Sequence, residues 1–170
     1  ETIIQREGKV KGAALEIATI VEDWRSHLVG GFVTGFLLWE SCCVSSLLHN
    51  SGSWIELSSL AEKRLESLQV WFLRLLLHQG PGVASGSLLW ETKTLSMKLR
   101  IWREKASLAL HIARLSEDSL ANKVWKEQRL YGWPGLAAEV DMIKEELNIE
   151  DVNTTKLSKK AFRQTVTEAC

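Results

Sequence analysis

The residues best suited to chemistry lie between Thr94 and Leu115, the stretch with the densest run of cationic side chains in the sequence. If this stretch is a helix, a turn of about 100° per residue divides it into a polar stripe and an apolar face. The polar stripe comprises Ser96, Arg100, Arg103, Glu104, Ser107, His111 and Arg114. Lys98 and Lys105 fall at the edge of the apolar face, where their stems can pack on apolar surface.

This stripe predicts contact with a phosphate backbone. Five cations and one carboxylate lie between Thr94 and Arg114, which gives a local charge of +4. Arginine, serine and histidine side chains can hold phosphates without reading base sequence. The predicted nucleic-acid-binding residues are Arg100, Arg103, Ser107, Arg114, Lys98 and Lys105. A solvated helix face that binds nothing explains the same pattern, so both interpretations stay open at this point.

Other kinds of site find little support in the sequence. The four histidines are scattered, whereas structural zinc sites use closely spaced ligand pairs. Adjacent Cys42 and Cys43 and an odd cysteine count predict small core residues plus a free thiol at Cys170, not disulfides. The Gly-rich break over 80–86 lacks the Lys-Ser or Lys-Thr of a phosphate-binding loop. We therefore predict no catalytic residue, no metal site and no cofactor in this chain.

Composition and charge describe an ordinary globular chain. Hydrophobic residues make up 45% and charged residues 25%, and the formal net charge is +0. A neutral chain has no overall field to attract nucleic acid, so an electrostatic partner must be bound by a local cluster. The sequence begins at Glu1 without a signal segment, which predicts a piece of a longer protein that is intracellular, nuclear or cytoplasmic, and not secreted.

The most apolar window, Leu28 to Leu48, is interrupted by Glu40 and several small residues. It falls short of the roughly 18 uninterrupted apolar residues that a membrane-spanning helix needs. We therefore predict a buried helix and no membrane partner.

The apolar spacing predicts an all-α fold of about seven helices. We expect one domain, 1–170, with a first part over 1–57, a helical core over 58–115 and a C-terminal helical connection over 116–170. Most of the eight tryptophans fall on apolar helix faces, which predicts core positions. In particular we expect one core with Trp71, Phe72, Leu76, Leu99 and Trp102.

Capping residues predict the helix ends. Ser59, with Glu62 three positions later, has the pattern of a capping box that opens a helix running to about His78. Ser116 is expected to cap a later helix, which Gly132 ends. Further helices are expected to begin at about Ala13, Phe32, Thr94 and Pro134 and, capped by Ser158, near the C-terminus.

Five stretches, in order, resemble the region just after the palm of non-LTR (LINE-type) retrotransposon reverse transcriptases. They are TIIQREGKVKGAALEIATIVEDWR (Thr2–Arg25), LLHNSGSW (Leu47–Trp54), LESLQVWFLRLLL (Leu65–Leu77), LWETKTLSMKLRIWREK (Leu89–Lys105) and LYGWPGLAAEV (Leu130–Val140). No one of them is diagnostic, and the resemblance rests on their order and spacing across nearly the whole chain. The corner HQGPGVASGS has less proline than is usual in that family, so a looser loop is expected there.

The resemblance implies the helical thumb and following connection of an RNA-directed DNA polymerase. Such a thumb holds the template–primer duplex against the palm, so the implied partners are an RNA–DNA or DNA duplex and the palm domain of the same polypeptide. The full-length enzyme would use magnesium held by an Asp-Asp pair in the palm. No Tyr-x-Asp-Asp-like motif occurs here, and Tyr131 is the one tyrosine. The segment is therefore expected to be inactive alone.

Two other functions remain open. The chain could be a helical protein–protein interaction module, including a decayed or domesticated mobile-element remnant, and its near-zero net charge favours that interpretation. It could also be an independent enzyme, for which no site is recognised. A reading frame upstream of Glu1 that encodes fingers, a palm and an endonuclease would support the polymerase interpretation.

If the predicted stripe holds phosphates, replacing Arg100 and Arg103 together by Ala should lower the salt dependence of binding to an RNA–DNA hybrid. Each lost phosphate contact reduces the log–log slope by roughly 0.9 on B-form DNA, so a loss of about two is expected, with helicity intact. A salt titration by fluorescence anisotropy measures the slope, and equal slopes for the two proteins would remove this role from the stripe.

Overall fold

The computed structural model describes residues 3–25 and 31–147, and every regular element in this part of the chain is a helix. The predicted all-α fold is confirmed. There are seven helices in the described ranges: α1 Ile3–Arg25, α2 31–47, α3 Ser59–Leu77, α4 Ser85–Glu91, α5 Met97–Ala113, α6 Leu120–Tyr131 and α7 Leu136–Glu146. The helix predicted after Ser158 and the thiol of Cys170 lie outside these ranges.

Helix α2 changes its winding along its length. It joins an α-helical segment, Gly31–Leu38, to a π-helical segment, Trp39–Val44, and a last short segment, Ser45–Leu47. Asn50 then adopts a left-handed conformation, with φ of 60°, and a 3₁₀ turn follows at Ser51–Ser53. The residue types at Asn50-Ser51-Gly52 predict the end of a helix, and α2 ends just before them.

The caps of α3 and α6 differ from the predicted ones by one and three residues. Ser58, not Ser59, is the N-cap of α3, and its hydroxyl accepts a hydrogen bond from the Ala61 N–H at 3.2 Å. Ser119, not Ser116, caps α6 in the same way, by accepting from the Asn122 N–H at 3.2 Å. In both cases two serines lie close together, and the cap is the one with extended backbone three residues before the N–H group that it accepts from.

Helix α1 begins ten residues earlier than the predicted start at Ala13. Its buried residues Val10, Ala14, Ile17 and Val21 recur at steps of four and three, which is the period of one helix face. Arg6 fixes the first turns, because its guanidinium donates to the His49 carbonyl at 2.9 Å near the end of α2. This long-range hydrogen bond stabilises the first turns of α1, and the polar sequence of residues 3–12 gives no sign of it.

The chain divides into two compact units. The first comprises the described residues of 3–49 and 58–97, and in it the Trp39 ring stacks on Phe72, with 4.2 Å between centroids and 8° between planes. Phe72 and Leu76 are buried as predicted, and Trp71 is half-buried. Trp102, also buried, and Leu99 belong to the second unit. The single domain and the single core of five residues stay predictions.

Helix α2 has an exposed apolar side, so the prediction that it is buried is wrong for that side. Val33 and Leu37 are 58% and 60% exposed, whereas Trp39 and Leu47 are fully buried. The segment Gly31–Ser53 is long and apolar enough to cross a membrane, and a third of its most apolar window is buried. One such helix is a weak indication, because core helices of soluble proteins and signal sequences share these properties. The absence of a membrane partner stays a prediction.

The second unit, comprising the described residues of 50–57 and 98–147, is built around α5. Ala109 packs with Leu136 and Val140 of α7, and the half-buried Trp125 of α6 covers this cluster. The 3₁₀ turn approaches α5 closely at Gly52. A Cβ atom at Gly52 would lie 2.9 Å from the Glu104 carbonyl oxygen and 3.3 Å from the Leu108 Cβ. The turn can therefore pack at this distance only with glycine.

Replacing Gly52 by Ala should lower the free energy of unfolding by about 1–3 kcal/mol, because the added methyl group overpacks a contact with backbone atoms that cannot rotate away. Urea denaturation followed by circular dichroism measures the change.

Gly86→Ala is the matched control, because a Cβ at Gly86 meets nothing within 4 Å and the residue lies in α4. Alanine favours a helix over glycine by roughly 0.5–1 kcal/mol, so this variant should be as stable as the wild type or more stable. Equal losses in the two variants would show that the contact at Gly52 is not what decides the effect.

Candidate nucleic-acid interface

The predicted polar stripe of α5 is largely closed to solvent. Arg100 is 7% exposed and Ser107 is 5% exposed, so the open stripe expected from the helical period is wrong at these two positions. Both side chains make further interactions, so neither is a free polar group. The period separates the polar from the apolar side of a helix, but it does not show that the polar side faces water. A role for these residues in binding nucleic acid stays a prediction.

Lys105 has a structural role in the second unit. Its side chain is 6% exposed and its Nζ lies 2.5 Å from Glu139 Oε2 on α7. The other oxygen of Glu139 accepts a hydrogen bond from the Glu56 N–H at 2.7 Å. Glu56 has a φ of 53°, a left-handed conformation that non-glycine residues adopt at a cost. One carboxylate thus binds a buried ammonium and holds a strained backbone position, in agreement with the predicted packing role of Lys105.

The other three predicted cations, Lys98, Arg103 and Arg114, keep part of their surface in water. Lys98 lies over the Trp102 ring, 4.3 Å from its centroid, and 3.3 Å from Glu146 Oε2, as expected for a stem packed on the apolar edge. Arg103 is half-buried, with its Nε 3.7 Å from Glu104 Oε1. Arg114 is exposed and follows the last residue of α5. The six predicted residues therefore do not form one accessible surface.

A different cationic face lies on α3, in the first unit. Residues 60, 64, 67, 71, 74 and 78 follow each other at steps of four and three, so they lie on one side of the helix. Two open cavities, of about 600 and 410 Å³, run along this side. Both are lined by Trp71. We name this surface the Trp71 groove; its polar lining consists of Glu7, Lys11, Lys63, Arg64, Ser67, Arg74, His78 and Gln79.

The Trp71 groove is positively charged. Four cations, Lys11, Lys63, Arg64 and Arg74, line it against the one carboxylate of Glu7, a formal charge of +3 with His78 neutral. Glu7 lies between two of them, 2.8 Å from Lys11 Nζ and 3.6 Å from Arg64 Nε. These two cations remain 49% and 45% exposed, so the pairs leave donors available to an anion.

Arg74 is held in place at the inner wall of the groove. Its Nη2 donates to the Val83 carbonyl at 2.8 Å, and its Nε is buried with no hydrogen-bond partner in the described part of the chain. Trp71 lies one turn before it on the same side of α3 and is half-buried. A fixed guanidinium beside an accessible aromatic ring can hold a phosphate and a flat ring together.

Sequence reasoning missed the Trp71 groove for two reasons. The run after Leu68 is so apolar that it predicts a helix buried on more than one side, and Arg74 lies within that run. The groove cations also come from two distant segments, with Lys11 on α1 and the others on α3. The alternation of steps of four and three through Arg64, Trp71 and Arg74 was the signal that could have revealed one shared side.

Nucleophilic and metal chemistry remain without a candidate group in the described residues. Burial and, as a smaller cause, the neighbouring Cys42 together raise the pKa of the Cys43 thiol to about 11, so Cys43 is a neutral thiol near pH 7. Cys42 is exposed, which corrects its predicted core position. Between residues 3 and 147, outside the undescribed 26–30, no three His, Cys, Asp or Glu side chains are placed to hold a metal ion.

Comparisons of the chain with protein-family models, with curated proteins and with solved structures give no match. The resemblance to non-LTR reverse transcriptases therefore stays a prediction from the order of the sequence motifs.

Replacing Lys105 by Ala should lower the free energy of unfolding by about 1–3 kcal/mol, because Glu139, whose side chain is 16% exposed, would lose the cation that compensates its charge. Lys126→Ala removes a lysine of the same charge whose partner Glu117 is 86% exposed, at 2.6 Å, and should leave stability unchanged. Thermal and urea unfolding measure both variants, and a small effect of Lys105→Ala would show that the buried pair contributes little.

Proposed function

We propose that this chain is a helical, non-catalytic segment of an RNA-directed DNA polymerase of the non-LTR retrotransposon type, and that it holds nucleic acid in the Trp71 groove. The observation that carries the proposal is a groove with four cations, one carboxylate and a central aromatic ring on a chain of zero net charge. Positive side chains along a groove bind the phosphate backbone with little regard to sequence.

The residues of the groove also connect it to the motif resemblance. Glu7 and Lys11 belong to the stretch Thr2–Arg25, and Trp71 and Arg74 belong to the stretch Leu65–Leu77. Two of the five stretches that resemble the reverse transcriptases therefore both contribute to the groove lining. This agrees with a thumb-like segment that positions a substrate for a palm domain elsewhere in the same polypeptide, where the magnesium-dependent chemistry would occur.

The α5 cations have a smaller part in this proposal than the sequence suggested. Arg103, Arg114 and Lys98 keep exposed surface and can add to the positive potential, whereas Lys105 is used by Glu139. Buried Arg100 is expected to support the fold, so its replacement should affect stability before it affects binding. The groove cations Lys63 and Arg64 are more direct contacts for a phosphate, because both are exposed.

A protein-interaction function is the second candidate, and an exposed apolar stripe on α6 favours it. Leu120, Val124 and Tyr131 lie within about 40° of each other around this helix and are 77%, 43% and 62% exposed. The Tyr131 ring stacks on Trp133 just beyond the helix, with 5.2 Å between centroids. Exposed apolar and aromatic side chains of this kind are frequent at protein interfaces.

The Lys63→Ala/Arg64→Ala variant should bind nucleic acid more weakly and with a lower salt dependence. Because two phosphate contacts are lost, the log–log slope should fall by about 1.8 on the hybrid, if it behaves as a B-form duplex, and by about 1.4 on the single strand. Fluorescence anisotropy with a labelled RNA–DNA hybrid and with a labelled single strand, over a range of salt concentrations, measures the slope for each ligand.

Lys123→Ala/Lys126→Ala is the matched control, because it removes the same charge from exposed residues of α6. Its slope should stay within experimental error of the wild type. Equal slopes in both double variants would remove the groove from the proposal, and no binding of either ligand by the wild type would leave the protein-interaction function ahead.

A further inference from the structure

We propose that the Trp71 groove selects unpaired strands, with Trp71 serving as a stacking platform for a base of single-stranded nucleic acid. This inference rests on the proposed nucleic-acid function and specifies the form of nucleic acid that the groove takes. It concerns the one residue that lines both cavities of the groove.

The first argument is the position of the ring among the cations. Arg64 lies seven residues before Trp71 and Arg74 three residues after it on the same side of α3, about 10 Å and 5 Å along the helix axis. Lys63 and Lys11 line one of the two cavities that Trp71 shares, and Arg74 lines the other. A strand that follows these cations must pass the indole ring. Proteins that bind single strands combine a positively charged groove with aromatic side chains on which the bases stack.

The second argument is access to the face of a base. In a duplex the base faces are stacked on their neighbours, and only base edges are open in the grooves. An unpaired base can turn out of the strand and stack on an aromatic side chain. The cavities beside Trp71, of about 410 and 600 Å³, are open to solvent, so an unpaired base can reach the ring. A paired base gains nothing from the ring, so the ring favours the unpaired strand.

The third argument is the fixed guanidinium of Arg74. Its bond to the Val83 carbonyl, at 2.8 Å, orients the group at the wall of the cavity that Trp71 also lines. The positive charge of the guanidinium lies at this cavity, whereas its Nε is buried without a hydrogen-bond partner in the described residues and is closed to a ligand there. A base stacked on Trp71 with its phosphate near Arg74 would contact both of these side chains, which line the same cavity.

The test compares a fluorescein-labelled oligothymidylate with a labelled blunt DNA duplex of equal length, using residues 1–170 and the variant Trp71→Leu. The wild type should bind the single strand more tightly than the duplex. Loss of one stacked base lowers affinity by about tenfold, so Trp71→Leu should bind the single strand about tenfold more weakly. Its affinity for the duplex should stay within about twofold, and the salt slope should not change, because no charge is lost.

Two further variants separate stacking from damage to the fold. Trp71→Phe keeps an aromatic ring and should retain most of the single-strand affinity. Trp90→Leu makes the same change at a residue that is 84% exposed on α4 and does not line the groove, so it should bind like the wild type. Circular dichroism and urea denaturation establish that each variant is folded.

A base analogue gives a readout that overall affinity cannot. An oligonucleotide with a single 2-aminopurine should lose fluorescence when it binds the wild type and Trp71→Phe, because the analogue stacks on a ring, and should keep it with Trp71→Leu. Equal loss of single-strand and duplex affinity in Trp71→Leu, or unchanged quenching, would overturn the stacking role. If the wild type binds duplex and single strand equally and Trp71→Leu has no effect, the inference fails while the proposed function stands. If it binds neither, the proposed function fails as well.

Discussion

The second unit depends on a buried charge, the ammonium group of Lys105, whose side chain is 6% exposed. An ammonium in such a position needs a carboxylate partner, and Glu139 supplies it from a helix more than thirty residues later. The same carboxylate holds the Glu56 N–H, so the segment that contains Gly52 is fixed against α5 from two points. Three segments distant in sequence are thereby joined through the carboxyl group of Glu139. If either Lys105 or Glu139 loses its charge, the other is left without its partner.

The cations of α5 and those of the Trp71 groove differ in how they are used. On α5 the cations near other elements are used for packing: Lys105 pairs with Glu139, and Lys98 lies against Trp102 and Glu146. On α1 and α3 the cations lie along an open groove, and Glu7 satisfies only part of their charge. The densest cationic run in the sequence is therefore a poor guide to the most accessible cationic surface. Local charge density counts residues, whereas binding depends on how many of those residues keep their donors in solvent.

The sequence predicted the helices well and the surface poorly, for one physical reason. Helix type and approximate ends follow from local features, such as the period of Val10, Ala14 and Ile17 or the left-handed Gly132 after α6, where φ is 63°. Which serine caps a helix, Ser58 or Ser59, already depends on backbone angles that composition does not fix. Exposure depends on tertiary neighbours, so the burial of Arg100 could not be read from the helical period of α5. The division of the chain between two compact units is likewise a property of contacts between distant residues.

The tryptophans show the same limit in a form that bears on function. A tryptophan on an apolar helix face predicts a core position, and Trp39 satisfies it by stacking on Phe72 with no exposed surface. Trp71 lies on a helix just as apolar, yet its ring is only half-buried because the side of α3 that carries it also carries Arg64 and Arg74. Those cations keep that side hydrated, and hydration keeps the ring accessible. The exposure of an aromatic residue is thus better judged from its neighbours on the same side of the helix than from the hydrophobicity of the run around it. This is why the candidate site lies along α3 and not on α5, which has the densest cationic run.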